Sequence, residues 1–327
     1  MRPDLPAPLR AALERALQGV SRKDLAERAA RTSEAYRAGQ PSAAVIRDTD
    51  DALAYAVTRL PATYAACAKV FAEAARRAPG FAPASLLDAG VGTGAASWAA
   101  TQVWPALGAL TWLDASSPFL ALAARLAAEG PPALRSADAR RVDLTSAGPW
   151  PRSELVVASY ALAEIAPGRQ ASTIDELWTA CSGVLALVEP GTPAGYARIL
   201  AARGALIAAG ANLLAPCPHA APCPLAGEDW CHFSVRLPRS RDHRLTKGAE
   251  VPFEDERLSY LVAARPGVAL GPAAPRVLAP PRAGKPGIGL KLCGLDGQVE
   301  RRLATRRDKP AYATARRLNW GDAIDQR

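Results

Sequence analysis

No stretch of this chain reads as a targeting leader or a membrane span. Met1 to Gln18 mixes Asp4 and Glu14 with arginines and holds no apolar segment of the kind a secretory leader carries. The uncharged run from Gly204 to Gly227 is broken by prolines, Asn212 and cysteines, which a span in lipid would not tolerate. The reading is a soluble protein of the bacterial cytoplasm, with no membrane partner. Cysteine is scarce, six in 327 residues, and no two of them form the C-x2-C pair of a zinc ribbon. In a reducing compartment such thiols are metal ligands sooner than disulfides. A hydrophobic share of 49% marks a folded chain, and a net charge of +9 favours a polyanion such as RNA as partner over an acidic small molecule. No DNA partner is expected.

What cysteine there is clusters. Cys217, Cys223 and Cys231 fall within fifteen residues, with His219 and His232 among them. Pro216, Pro218, Pro222 and Pro224 exclude both a helix and a central strand there. An irregular loop needs something to hold it, and clustered thiolates offer a metal. Cys293, far along the chain, could close the site. Four cysteine ligands suit a tetrahedral zinc or an iron–sulfur cluster, and a neighbouring Cys-Pro is commoner around the latter. Cys67, in a helix, and Cys181, opening a strand, read as small buried hydrophobes.

Residues 1 to about 78 read as helices. Leu9, Leu13 and Leu17 recur at i+4, and Ser21 with Asp24 makes a capping box for a helix from Lys23 to Ala38. Asp50 and Asp51 precede another from Ala52 to Leu60, and Pro61 starts or kinks the next, which runs to Arg77. Ser85 to Asp88 is then a short apolar strand, followed by Gly90, Gly92 and Gly94 and an alanine-rich helix from near Ala95. Glycines let a backbone approach a ligand closely, and a helix N-terminus turns amide donors toward it.

Asp-x-Gly-x-Gly-x-Gly from Asp88 resembles the first motif of class I S-adenosylmethionine (SAM) methyltransferases, whose loop lies against the methionine end of the cofactor. A dinucleotide site would more often read G-x-G-x-x-G. Ala109 to Asp114 is a second strand, and the resemblance implies that Asp114 accepts the ribose hydroxyls. Leu134 to Asp138 is a third, with Asp138 implied near the adenine amino group. Glu154 to Tyr160 is a fourth, whose end at Ser159 and Tyr160 would face the cofactor, and Gly183 to Glu189 is a fifth. Strands alternating with helices imply a parallel sheet with its site beyond the strands' carboxyl ends. The resemblance thus implies Asp88, Gly90, Gly92, Gly94, Asp114, Asp138 and Ser159 as cofactor residues.

A helix from about Tyr196 to Asn212 leads into the cysteine loop. His232 to Leu237 and Ser259 to Ala264 read as an antiparallel pair completing a seven-stranded sheet. Between them, Arg236, Arg239, Arg241, Arg244 and Lys247 form a basic loop suited to phosphates. Glu254 to Glu256 reads as a helix start. From Pro266 proline and glycine are dense, then Ile288 to Thr305 alternates like strands around a Leu295-Asp-Gly297 turn. Arg306, Arg307, Arg316 and Arg317 follow, with Tyr312 and Trp320 interleaved, a pattern fitting RNA by phosphate pairing and stacking.

LLDAGVGTGAASWAA, ASYALAEI, VEPGTPAGY, APCPH with CPL, DWCHFSVRL and ARRLNWGD together resemble the methyltransferase-like proteins of the small ribosomal subunit. That resemblance, from about Asp50 to Asp322, implies a 4Fe–4S cluster on Cys217, Cys223, Cys231 and Cys293, association with small-subunit ribosomal RNA, and a role in subunit assembly and translation. No catalytic residue is assigned: there is no N-P-P-Y motif, and the fourth strand ends in Ala158-Ser159-Tyr160 without a Pro-Cys nucleophile. An active SAM-dependent rRNA methyltransferase with a structural zinc or iron–sulfur site is the alternative. A radical SAM enzyme is excluded, because its cluster uses a tight three-cysteine loop. The expected fold is an α/β, Rossmann-like sheet of the class I SAM-methyltransferase type. It divides into a helical region 1–78, a methyltransferase-like domain 79–265 containing cysteine loop 215–231, and a β-rich, metal-stapled basic extension 266–327 supplying Cys293.

Overall fold

The computed structural model describes residues 4–37, 42–146 and 148–324. Helices α1 (Ala7–Ala16), α2 (Arg22–Arg37) and α3 (Ser42–Val45) lead into one long helix, α4 (Thr49–Arg77). The two helices expected around Pro61 are therefore one. Asp48, not Asp50 or Asp51, caps it by accepting the Asp51 amide. Asp51, 1% exposed, instead gathers Arg28, Arg31 and Arg47 and ties α2 to α4. Ala38, the expected end of α2, lies outside the described residues.

The body is a mixed sheet flanked by helices on both faces. Its strands are β1 (Ser85–Ala89), β2 (Ala109–Asp114), β3 (Asp138–Arg141), β4 (Ser153–Ser159), β5 (Cys181–Pro190), β6 (Asn212–Ala215), β7 (Phe233–Pro238) and β8 (Phe253–Ala264). The order is β3-β2-β1-β4-β5-β8, with β5, β6 and β7 all antiparallel to β8. Along the central strands successive residues serve opposite faces. Leu155 and Val157 of β4 and Val184, Ala186 and Val188 of β5 pack with α4, α5 (Ala95–Val103) and α6 (Ser117–Ala127). Val156, Ala158, Leu185 and Leu187 pack with α8 (Pro167–Ala180) and α9 (Pro193–Ala208). That double burial explains why these strands read as unbroken apolar runs. A short α7 (Pro132–Arg135) precedes β3. The strand order is that of the expected α/β, Rossmann-like sheet.

The expected count of seven strands is corrected to eight. The seventh place holds two short strands end to end: β6 pairs with β8 down to Val262, and β7 resumes the pairing at Leu258. Residues 216–232, the cysteine loop, bulge out where three residues of β8 would otherwise be matched. The edge strand is thus opened to make room for the loop. Ser259 Oγ in the gap donates to the Cys231 carbonyl at 2.8 Å.

After β8 the chain forms a second sheet from β9 (Arg276–Val277), β10 (Arg282–Ala283), β11 (Gly287–Cys293) and β12 (Val299–Thr305), backed by α11 (Lys309–Ala315). The expected hairpin is present: Gly297 takes φ +79° and Cys293 ends β11 opposite Val299. Glu254 to Glu256 begin β8 and start no helix, correcting that reading. Between β7 and β8 the basic segment folds into α10 (Arg241–Lys247), capped by Ser240. Among the described residues no helix is long and apolar enough to cross a membrane.

Candidate cofactor cavity and four-thiol site

A cavity of about 340 Å³ opens at the carboxyl ends of the parallel strands. Gly90, Gly92, Asp114 and Ser159 line it, beside Asp143, Tyr160 and Glu164. Gly90, Gly92 and Gly94 have φ of +79°, +52° and +84°, values an L side chain seldom adopts. A Cβ on Gly90 would also stand 2.8 Å from that of Ala161, so the close approach demands glycine. Asp114 accepts the Gly92 amide at 2.8 Å with one oxygen and the Ser116 amide at 2.8 Å with the other. Burial raises its carboxyl, and those two amides oppose the rise.

Asp88 and Gly94 lie beneath this wall and do not line it. Asp88, fully buried, accepts the Ser97 amide at 3.1 Å and its hydroxyl at 2.7 Å, and Trp112 donates to the same hydroxyl at 2.9 Å. The acid of the glycine motif therefore anchors the start of α5. Burial pushes its carboxyl up to about 7, partly offset by the Ser97 bonds.

Asp138, expected near the adenine amino group, does not line this cavity. It starts β3, level with Thr111, three residues short of the ligand end marked by the Arg141–Asp114 pairing. It is exposed and bonded to Arg140. Leu134 belongs to α7, so the apolar residue taken for a strand is helical. Asp143, just past β3, lines the cavity in its place.

Tyr160 was singled out by position but not for its strain. Its φ of +59° is rare for an aromatic residue. Its amide donates to the Val188 carbonyl at 2.7 Å and its hydroxyl to Glu256 at 2.7 Å; Glu256 is also held by Arg59 at 3.1 Å.

Cys217, Cys223, Cys231 and Cys293 line a second cavity, between α9, the broken edge strand and the tail. Cys67 and Cys181 are buried apart from it. Burial raises the Cys217 thiol, with Cys223 adding to the rise. Cys231 is pushed well up by burial and then by the other three thiols, and Cys293 to about 12 by burial and then by Cys217 and Cys223.

Two buried guanidiniums hold the loop from either side. Arg203 of α9 donates to the His219 and Ala221 carbonyls at 2.9 and 2.7 Å. Arg276 of β9 donates to the Pro216 and Gly321 carbonyls at 3.0 and 2.7 Å. The Tyr260 hydroxyl, on this cavity's wall and 1% exposed, has no partner among the described residues. Tyr196, which the sequence did not flag, and His219 of the cysteine segment reach the sulfurs of Cys223 and Cys293 at 3.2 and 3.3 Å. Among the described residues no three His, Cys, Asp or Glu side chains are grouped to hold a single metal ion.

The expected phosphate residues part into two sets. Arg236 is spent on Asp255 at 2.7 Å, while Arg239, Lys247 and His243 surround Glu254 at 3.3, 2.7 and 3.1 Å. Arg241 and Arg244 stay exposed. In the tail Arg307, Arg316 and Arg317 are exposed with no acid paired among the described residues, and Arg306 lies over the Tyr312 ring at 5.4 Å.

A family model described as mitochondrial small ribosomal subunit Rsm22 matches residues 49–325. The chain belongs to the Rsm22 family. The human mitochondrial ribosome assembly protein METTL17 is 28% identical to this Rsm22 chain over 289 residues, covering 83% of it and 62% of the human protein. The chain thus spans less than two thirds of that relative's length. Both descriptions are mitochondrial, which corrects the reading of a bacterial cytoplasmic protein. Among solved structures, the magnesium protoporphyrin IX methyltransferase ChlM of Synechocystis PCC 6803 with bound SAM overlaps 66% of the Rsm22 chain and 83% of its own, at 16% identity and a TM-score of 0.40. Human N-acetylserotonin methyltransferase in complex with SAM covers 79% of this chain and 71% of its own, at 13% identity and a TM-score of 0.41. Likeness at that level says nothing about what the Rsm22 chain binds.

Proposed function

We propose that this chain acts in small-ribosomal-subunit assembly, binding small-subunit ribosomal RNA through its basic tail and holding a 4Fe–4S cluster on Cys217, Cys223, Cys231 and Cys293. One observation carries the reading: in an Rsm22-family chain, four thiols from two remote segments line one cavity. The prolines that follow Cys217 and Cys223 favour a cluster over zinc. Arg203 and Arg276 supply positive charge beside what would be an anionic centre. When bound, the cluster would fasten the extension 266–327 to the domain 79–265, with the region 1–78 packed on that domain. The tail's unpaired arginines support the RNA surface better than segment 236–247, where acids already take most of the charge.

The cavity at the glycine loop would take SAM, with Asp114 and Asp143 as acceptors and the close-lying backbone at Gly90 and Gly92 against its polar end. Bound, SAM would supply an activated methyl group. An activated methyl held in that cavity would permit a second reading, its transfer to ribosomal RNA. Incubating purified protein with immature small subunits and methyl-labelled SAM tests both. Cosedimentation without incorporation is the expected result. Incorporation into RNA would establish the second reading, and failure to cosediment would overturn the first.

A further inference from the structure

The four thiols do not have equivalent surroundings. Tyr196, one turn into α9, donates its hydroxyl to Cys223 Sγ at 3.2 Å. The His219 Nε2 stands 3.3 Å from Cys293 Sγ. A metal-bound thiolate only accepts hydrogen bonds, so toward a loaded centre Nε2 carries the proton. Nδ1, buried and without a partner among the described residues, keeps the lone pair.

The imidazole is fixed from two directions. Arg203 holds its backbone carbonyl at 2.9 Å. A Cβ on Gly297, in the hairpin turn after Cys293, would lie 3.4 Å from ring atoms Cε1 and Nδ1. Glycine with φ +79° lets the turn come this close, since a Cβ there would also stand 3.1 Å from that of Ala221. The tail thus brings its own cysteine and the surface that orients the histidine facing it. Tyr196 shares its helix with Arg203, which clamps the same loop.

Resting on the four-cysteine cluster reading, we propose that Tyr196 and His219 are positioning residues: they donate to the sulfurs of Cys223 and Cys293 in the loaded centre and raise its reduction potential. A donor aimed at a ligand sulfur withdraws electron density and stabilises the more reduced, more negative state. Placing one donor on the body and one on the segment facing the tail's ligand makes the potential report on how well the two parts are docked.

The test is a redox titration, followed by electron paramagnetic resonance, of the full chain purified without oxygen. It compares the parent with Tyr196→Phe, His219→Phe and the double variant. The expected result is unchanged iron and sulfide, a lower midpoint in each single variant, and the lowest in the double. His219→Gln, which keeps a donor, should recover part of the shift. Full cluster with the same midpoint in all overturns this inference alone, whereas zinc or no metal in the parent removes the cluster reading and the inference with it. Should the variants not load, resonance Raman of the parent in heavy water decides. An isotope shift of the iron–cysteine stretches is expected, and none overturns the inference.

Discussion

Arg276 Nη1 lies 2.6 Å from Glu73 Oε2, joining the tail's first strand to α4 across 203 residues of sequence. Arg276 is 2% exposed and also sits opposite Cys293 in the β9–β11 pairing. One side chain therefore ties together the long helix, the cysteine loop and the strand that carries the fourth thiol.

Breaking that pair leaves an uncompensated buried charge. Glu73→Gln should cost about 3–5 kcal/mol in urea denaturation, at the scale of other broken buried pairs. Burial acts to raise the Glu73 carboxyl, but Arg276 and then Arg76 overcome it and hold it below its ordinary value of 4.5. A depressed folded pKa gives stability that is present above the unfolded value and lost as pH falls through the folded one. The gap between parent and variant should therefore close on acidification below about pH 4.5.

Asp88 works with the opposite sign. Its buried carboxyl sits at about 7 against an ordinary 3.8. Between those values the unfolded chain releases the proton first, so stability falls as pH rises, by on the order of 1.4 kcal/mol per pH unit. Asp88→Asn can still accept from Ser97 and carries no charge. Its denaturation midpoint should lack that decline, and a parallel decline in the variant would refute the assignment.

The glycine loop, the strand Ala109–Asp114 and the clustered thiols were legible because each leaves a local mark: φ-permissive residues, an apolar run with an acid at its end, cysteines close in sequence. What escaped depends on distance in space. Pro61 looked like a boundary, yet α4 runs through it because its buried face, from Leu53 to Phe71, packs on the sheet along its whole length. Asn212 looked like the end of a helix, since only pairing with β8 makes a strand of Asn212–Ala215. Glu254 to Glu256 looked like a helix start, because the arginines and histidine that make a strand of acids tolerable there come from α4 (Arg59), β7 (Arg236) and α10 (His243). Asp138 was misplaced because a two-proline helix start preceded it, and Pro131-Pro132 was the available signal. Nothing near Tyr196 in the sequence pointed to a sulfur.

The exchange of Asp138 for Asp143 is directly testable. Asp143→Ala should weaken SAM binding by roughly tenfold, the worth of one hydrogen bond to a charged group. Asp138→Ala should leave it unchanged by calorimetry. The reverse pattern would restore the acid chosen from the sequence.

RNA affinity should separate the two basic sets. Replacing Arg306, Arg307, Arg316 and Arg317 by alanine should flatten the salt dependence of binding, by about 0.7 to 0.9 in the log–log slope for each phosphate no longer neutralised. Replacing Arg236, Arg239 and Lys247 should change that slope little and lower stability instead, because they neutralise Asp255 and Glu254. Equal slope changes in both would contradict the division.

The most direct test of the shared four-sulfur centre is the iron and acid-labile sulfide content of the full chain purified without oxygen, beside single Cys→Ser variants. The parent should be brown, with iron and sulfide in equal amounts. Serine at position 217, 223, 231 or 293 should bleach it, and serine at 67 or 181 should leave it intact. A colourless parent, or a Cys293→Ser variant that keeps its full complement, would contradict the account.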